Sequence, residues 1–153
     1  MNRLLLPLVA LLASCGTSGP PAPPLTGEIK LIEQGFEDKG GTVSMFPVVG
    51  TLTLVITPEG DASSVLKRDI LTDIERRRGL YNSERWELHT KAEAWAAKTG
   101  AEEAPHGKIW GILTYGTHKV SWQKGDSLSP ELTDLIHYLE VLAQSLNEVR
   151  KRG

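Results

Sequence analysis

The chain has one cysteine among 153 residues, so no disulfide within it is available to stabilise the fold. It has no excess of either charge. Its 17 basic and 19 acidic residues leave a formal net charge of −2, which provides no electrostatic basis for binding nucleic acid. The apolar run Leu4–Ala13 would span only ~15 Å as a helix, half a membrane core. These absences exclude a disulfide-stapled fold, a basic nucleic-acid binder and, for this run, a membrane-spanning helix.

The sequence also lacks the common catalytic motifs G-x-S-x-G, the P-loop, G-x-G-x-x-G and H-E-x-x-H. With no nucleophile–base pair visible, we predict a protein that is not an enzyme and has no cofactor, metal or catalytic residue. Its four histidines are far apart: His89, His106, His118 and His137. His118 and His137 would meet if the predicted hairpin packed on the last helix, with Asp126 or Asp134 nearby. Independent histidines explain this pattern better than a metal site does.

Residues 1–14 have the layout of a secretion signal, with Arg3 as a minimal positive start before the apolar run. The end of that run, Leu12-Ala13-Ser14-Cys15, resembles the lipobox of bacterial lipoproteins. The resemblance implies cleavage between Ser14 and Cys15 and acylation of Cys15, palmitate being one such acyl group. The alternatives are an ordinary cleaved signal, a retained apolar N-terminus or a buried free cysteine. We expect Cys15 to be a membrane anchor that holds the domain in the cell envelope, outside the cytoplasm.

Residues 15–26 follow as the expected link between anchor and domain. The stretch GTSGPPAPPLT (16–26) has four prolines and no charge, a composition typical of extended, semi-rigid chain. We predict that 15–26 is a lipidated cysteine with a proline-rich tether outside the fold, and that 27–153 is a single globular domain.

The domain begins with strand patterns and contains one clear hairpin. Alternating or β-branched apolar residues predict strands over 27–36, 42–47, 51–57 and 65–70. Residues 108–125 predict a β-hairpin with a two-residue loop at Gly116-Thr117, where the glycine supplies the positive φ that such turns require. Leu113 and Tyr115 are expected on one face of this hairpin, with Trp110 and Ile112 on the other.

Helix signals lie between these strands and after them. Thr72-Asp73-Ile74-Glu75 reads as a capping box that opens a short helix ending near Gly79. A second helix is expected from Asn82 or Ser83 to Gly100. The last helix has Ser129 as N-cap and Pro130 at its first position. Its apolar stripe is Leu132, Leu135, Ile136, Leu139, Leu142, Ala143, Leu146 and Val149.

These elements predict an α+β fold, in which an antiparallel sheet is covered by helices, one of them a long amphipathic C-terminal helix. Leu139 is expected to be fully buried, and its neighbour Glu140, about 100° around the helix, is expected to tolerate alanine within ~0.5 kcal/mol. The basic runs 76–78 and 150–152 are expected at helix ends, where they complement the helix dipole; contact with lipid headgroups is the minor alternative. The four tryptophans are expected mainly in the core, and an exposed one would mark a partner surface.

The order of elements resembles the emfourin family, small proteins associated with inhibition of thermolysin-like metalloproteases. The similarity is carried by Gly35-Phe36, by Val120-Ser121-Trp122 and by the final stretch SLSPELTDLIHYLEVL. The chain departs from the family in the helical insertion around 82–100 and in the lipid anchor. The resemblance therefore implies the fold and a protease partner, but assigns no inhibitory contact to any residue.

The sequence favours a membrane-anchored lipoprotein that binds another envelope protein, with an emfourin-like protease inhibitor as one version. Its partners would be membrane lipid, through acylated Cys15, and a protein. The alternatives are a tethered module for a small ligand, which needs an apolar pocket between sheet and helices, and a structural envelope lipoprotein. No ligand-binding residue is identified.

Overall fold

The computed structural model describes residues 19–38, 48–98 and 107–149. Seven strands and two helices follow one another in the order β1 (Ile29–Asp38), β2 (Val48–Ile56), β3 (Asp61–Lys67), β4 (Ile74–Gly79), α1 (Asn82–Ala96), β5 (Gly111–Tyr115), β6 (His118–Trp122), α2 (Pro130–Ser145) and β7 (Asn147–Glu148). All strands form one sheet in the order β6-β5-β1-β2-β3-β4-β7, and every neighbouring pair is antiparallel. The predicted α+β class with an antiparallel sheet is confirmed.

One face of the sheet carries the core. Alternate residues of β1 and β2, such as Ile29, Leu31, Leu54 and Ile56, are fully buried against the helices, while Thr53 and the other intervening residues of these strands are less buried. The helices lie antiparallel to each other, since Lys91 of α1 pairs with Asp134 of α2, and Lys98, two residues after α1 ends, pairs with Glu131 in the first turn of α2. An antiparallel sheet with one face packed and one face solvated gives this in–out alternation.

The first strand and the hairpin follow the sequence pattern closely. β1 covers most of the predicted segment, and it bends at a bulge between Glu33 and Phe36, where Gly35 has a φ of +63° and the Trp110 ring occupies the place of a side chain. The hairpin turns at Gly116, whose φ is +57°. Leu113 and Tyr115 lie on the same, buried face of the hairpin, and Ile112 lies on the other face, as predicted. The predicted strand 42–47 lies outside the described residues.

The predicted helix at Thr72 is wrong, because Ile74–Gly79 forms β4 and pairs with β3 and β7. The run Arg76-Arg77-Arg78 therefore lies in a strand and not at a helix end. Arg76 is buried and makes a two-point ion pair with Asp38 at 2.9 and 3.1 Å. A charged side chain can lie on the core face of a sheet when it is paired in this way. Arg76 therefore takes a buried strand position that an apolar residue would usually occupy. The run 150–152 lies outside the described residues.

The strand before β4 also begins earlier than expected. The predicted strand 65–70 is observed as β3 over Asp61–Lys67, where Ala62, Ser64 and Leu66 point into the core. The small residues Ala62 and Ser64 weaken the apolar signal of this strand, which explains the displaced prediction.

Both helices exist, with changes at their ends. In α1, Leu88, Ala92 and Trp95 are buried along one face, and at the start of the helix Glu84 accepts a hydrogen bond from the Tyr81 N–H at 2.8 Å. In α2, Ser129 caps the first turn by accepting from the Leu132 N–H.

The expected long C-terminal helix is a 16-residue helix that ends at Ser145. Leu146 is extended, and the chain turns into β7 on the edge of the sheet, so Val149 is not part of the helical stripe. The buried stripe nevertheless holds for Leu132, Leu135, Ile136, Leu139, Leu142 and Ala143. No helix in the described ranges is both long and apolar enough to span a bilayer.

Candidate functional site

The histidines and their expected acidic neighbours do not assemble a metal site in the described part of the chain, where no three candidate ligand residues group together. His118 packs edge-to-face on Trp95 with ring centroids 6.1 Å apart, and His137 is exposed on α2. Asp126 accepts from the Gln123 N–H in a turn, and Asp134 pairs with Lys91. His106 and the Glu102-Glu103 pair lie outside the described residues.

Two carboxyl groups meet on the core face of the sheet. Glu33 of β1 lies beside Glu140 of α2, and Glu33 Oε2 is buried without a hydrogen-bond partner among the described residues. Burial raises the pKa of Glu33 to about 8, aided by the negative charge of Glu140 and by a hydrogen bond between the two groups, which exists only when one carries a proton. Glu140 is thus half-buried beside another acid.

The cavities formed by the described residues include two that are open to solvent and partly polar. One of about 270 Å³ lies between β6 and the start of α2, where it is lined by Val120, Trp122, Asp126 and Ser129. The other, of about 370 Å³, is a surface groove lined by Thr57, Asp61, Ser63, Arg77 and Arg78. Neither is an apolar pocket between the sheet and the helices, which the small-ligand alternative requires.

The proline-rich segment, expected outside the fold, packs on it over Pro20–Leu25. The Pro20 carbonyl accepts hydrogen bonds from Asn82 Nδ2 and from Trp86 Nε1, each at 2.9 Å. Asn82 Oδ1 in turn accepts from the Ala22 N–H at 2.7 Å. Ala22 and Leu25 are buried, and the Leu25 N–H donates to the Pro58 carbonyl. The segment is therefore held at the N-terminal turn of α1, and the expectation that it contributes nothing to the fold is wrong for these residues.

The next residue, Thr26, continues this attachment. Its N–H and its hydroxyl both donate to the Tyr115 hydroxyl, at 3.1 and 2.9 Å, and Tyr115 donates to Glu93 of α1. Burial and the neighbouring Glu93 raise the pKa of Tyr115, so this phenol keeps its proton at neutral pH. Thr26 is thus attached to Tyr115 of β5 and, through Tyr115, to Glu93 of α1.

A loop at the other end of the sheet exposes two large apolar side chains. Ile70 is 94% exposed and Leu71 is 57% exposed, in the connection between β3 and β4. The base of this loop is closed by Arg68, whose Nε donates to the Thr72 carbonyl at 2.8 Å. Val49 and Val65 are also exposed on β2 and β3. We name Ile70 and Leu71 the apolar loop tip.

The sequence does not predict this loop tip, because its pattern places Ile70 in a strand and leaves Leu71 unassigned before the helix predicted at Thr72. Its signal was present: two large apolar residues stand between Asp69 and Thr72-Asp73, polar residues that do not continue a buried pattern. Among the tryptophans, Trp95 and Trp122 are buried as expected, and Trp86 is 39% exposed. The predicted site residues Ser14 and Cys15 lie outside the described residues.

No protein-family model matches this sequence, and no curated protein or solved structure is similar to it.

Proposed function

We propose that the protein is a lipid-anchored envelope protein, not an enzyme, whose domain binds another protein through the apolar loop tip. The observation that carries this proposal is the exposure of Ile70 and Leu71 side by side on a loop closed by Arg68. Single exposed apolar residues are ordinary, whereas contiguous exposed apolar surface marks an interaction site. A loop held in one conformation also loses little conformational entropy on binding.

The anchoring half of the proposal is supported by the sequence. The apolar run Leu4–Ala13 ends within the lipobox-like stretch Leu12-Ala13-Ser14-Cys15, which is the order of a lipoprotein signal. Cys15 has no other cysteine in the chain with which to pair. One acyl chain gives marginal membrane binding, whereas two or more give stable anchoring. Lipidation of the Cys15 sulfur together with acylation of the new amino group would therefore keep the domain at the membrane.

The resemblance to emfourins suggests one class of partner, a thermolysin-like metalloprotease. Adding the domain to a panel of such proteases and following residual activity tests this class directly. Stoichiometric loss of activity in one protease supports it. If every protease keeps full activity at a large molar excess of the domain, thermolysin-like proteases are not its partners. The docking surface itself is then tested by the separate experiment below.

The docking surface is tested by photo-crosslinking the full chain in cells of its source. A photo-reactive amino acid replaces Leu71 in one variant and Val141, which is 51% exposed on α2, in the control. We expect a discrete protein adduct from position 71 and none from position 141. Adding Ile70→Ser to the first variant should reduce the adduct at least fivefold without changing the melting temperature. Equal adducts from both positions, or none from position 71, would contradict the proposal.

A further inference from the structure

The attachment of Pro20 shortens the link between the anchor and the domain. Pro20, whose carbonyl accepts from Asn82 and Trp86, lies only five residue steps after Cys15. At a maximum of about 3.3–3.6 Å per residue, five residues reach ~18 Å. A link running free to Gly27 would have twelve residues and more than twice that reach. An acylated Cys15 would therefore keep the start of α1 within about 18 Å of the lipid.

The side chains around this attachment point suit a membrane interface. Tyr81, which precedes α1, is 65% exposed, and Trp86, one turn into the helix, keeps part of its ring in solvent. Tyrosine and tryptophan combine an apolar ring with a polar group, and they are enriched where lipid headgroups meet water. Both residues lie at the end of the sheet where the link leaves the domain.

The apolar loop tip lies at the opposite end. Pro58, which accepts from Leu25, precedes β3, and the loop follows β3. A seven-residue strand spans about 20 Å from its first residue to its last. The two ends of this strand thus separate the attachment point from Ile70 and Leu71.

From these observations we propose that Tyr81, Trp86 and the first turn of α1 rest on the headgroup layer of the membrane that holds acylated Cys15. The apolar loop tip then points away from the lipid, towards a partner. This inference depends on the lipid anchoring of the proposed function, and it adds an orientation that anchoring alone does not impose.

The test uses the full, acylated chain in vesicles of phosphatidylethanolamine and phosphatidylglycerol. Because acylation occupies the Cys15 sulfur, an introduced cysteine is the only free thiol available for a spin label. Ser83→Cys places the label on the first turn of α1, and Asp69→Cys places it beside the loop tip; both native residues are exposed. The measurement is the accessibility of each label to a water-soluble nickel chelate and to oxygen, which concentrates in lipid.

For each label the accessibility to the nickel chelate is divided by the accessibility to oxygen. We expect this ratio to be at least threefold lower for the label at position 83 than for the label at position 69. Equal accessibility in protein that floats with the vesicles would overturn the orientation while leaving the anchor in place. Protein that does not float with the vesicles would overturn the anchor, and the orientation with it.

A second variant separates the attachment of Pro20 from a general preference of α1 for lipid. Asn82→Ala with Trp86→Phe removes both donors to the Pro20 carbonyl and keeps an aromatic ring at 86. In this background the label at 83 should approach the accessibility of the label at 69, with the protein still floating with the vesicles and its circular dichroism unchanged. An unchanged difference between the two labels would overturn the Pro20 attachment as the cause of the orientation.

Discussion

Glu33→Gln should make the protein more stable at neutral and alkaline pH and should remove part of the pH dependence of its unfolding. Glu33 lies on the core face of the sheet between Leu52 of β2 and Gly111 of β5, and Glu140 approaches it from α2. Its pKa is raised from 4.5 to about 8, chiefly by burial. The folded chain therefore binds this proton more tightly than the unfolded chain does.

The sign and size of the effect follow from that difference. The stabilisation that the proton provides is complete below about pH 4.5 and is lost as the pH rises through about 8. At 1.36 kcal/mol per pKa unit the full shift would be worth about 5 kcal/mol. Because Glu33 is only half-buried, solvent screening reduces this to about 1–3 kcal/mol. The glutamine amide keeps the shape of the side chain and donates to Glu140 without adding charge.

The assay is urea unfolding of wild type and variant at intervals from pH 5 to pH 9, with Glu37→Gln, an exposed position on the same strand, as control. We expect the two unfolding free energies to converge near pH 5 and to separate by 1–3 kcal/mol at pH 9, with Glu33→Gln the more stable. The control should follow wild type throughout. A Glu33→Gln curve parallel to wild type across this range would refute the reasoning.

Three further predictions concern the anchor, the attached segment and the core. Cys15→Ser should leave an unprocessed precursor without acyl chains, detected by mass spectrometry; normally processed, acylated protein from this variant would end the lipoprotein interpretation. A chain starting at Gly27 should have an unfolding free energy about 1–3 kcal/mol lower than one starting at Gly19, because it lacks Ala22, Leu25 and their hydrogen bonds. Equal urea midpoints for the two chains would show that the segment adds no stability. Leu139→Ala should cost about 2–5 kcal/mol, since Leu139 is fully buried, whereas Val141→Ala on the exposed face should cost less than ~0.5 kcal/mol; similar losses would contradict the assigned faces.

The elements that could be predicted are those whose signals lie within a few residues. Ser129 and Pro130 mark the start of α2, because a cap and a proline act on the turn that contains them. The α2 stripe around Leu139 and the turn at Gly116 are local in the same sense, since one helical period or one positive φ is enough to specify them. For these elements the sequence pattern and the fold agree.

The wrong predictions share a different cause. The capping-box pattern from Thr72 to Glu75 overlaps the start of β4, but Arg76 is buried through an ion pair with Asp38, which is 38 residues away. The predicted last helix is too long, because the residues after α2 form β7 by pairing with β4, far back in the chain. In each case a partner distant in sequence outweighed a weak local preference.

The candidate sites divide along the same line. The sequence by itself predicts the anchor at Cys15, because a signal segment is recognised as linear chain. It also determines that the chain has no internal disulfide and only a small net charge. Only the tertiary structure places Pro20 on Asn82 and Trp86, sets Glu33 against Glu140, and leaves Ile70 and Leu71 in solvent. Periodicity and capping act over one or two turns of chain, whereas burial, pairing and exposure are decided by contacts between residues tens of positions apart.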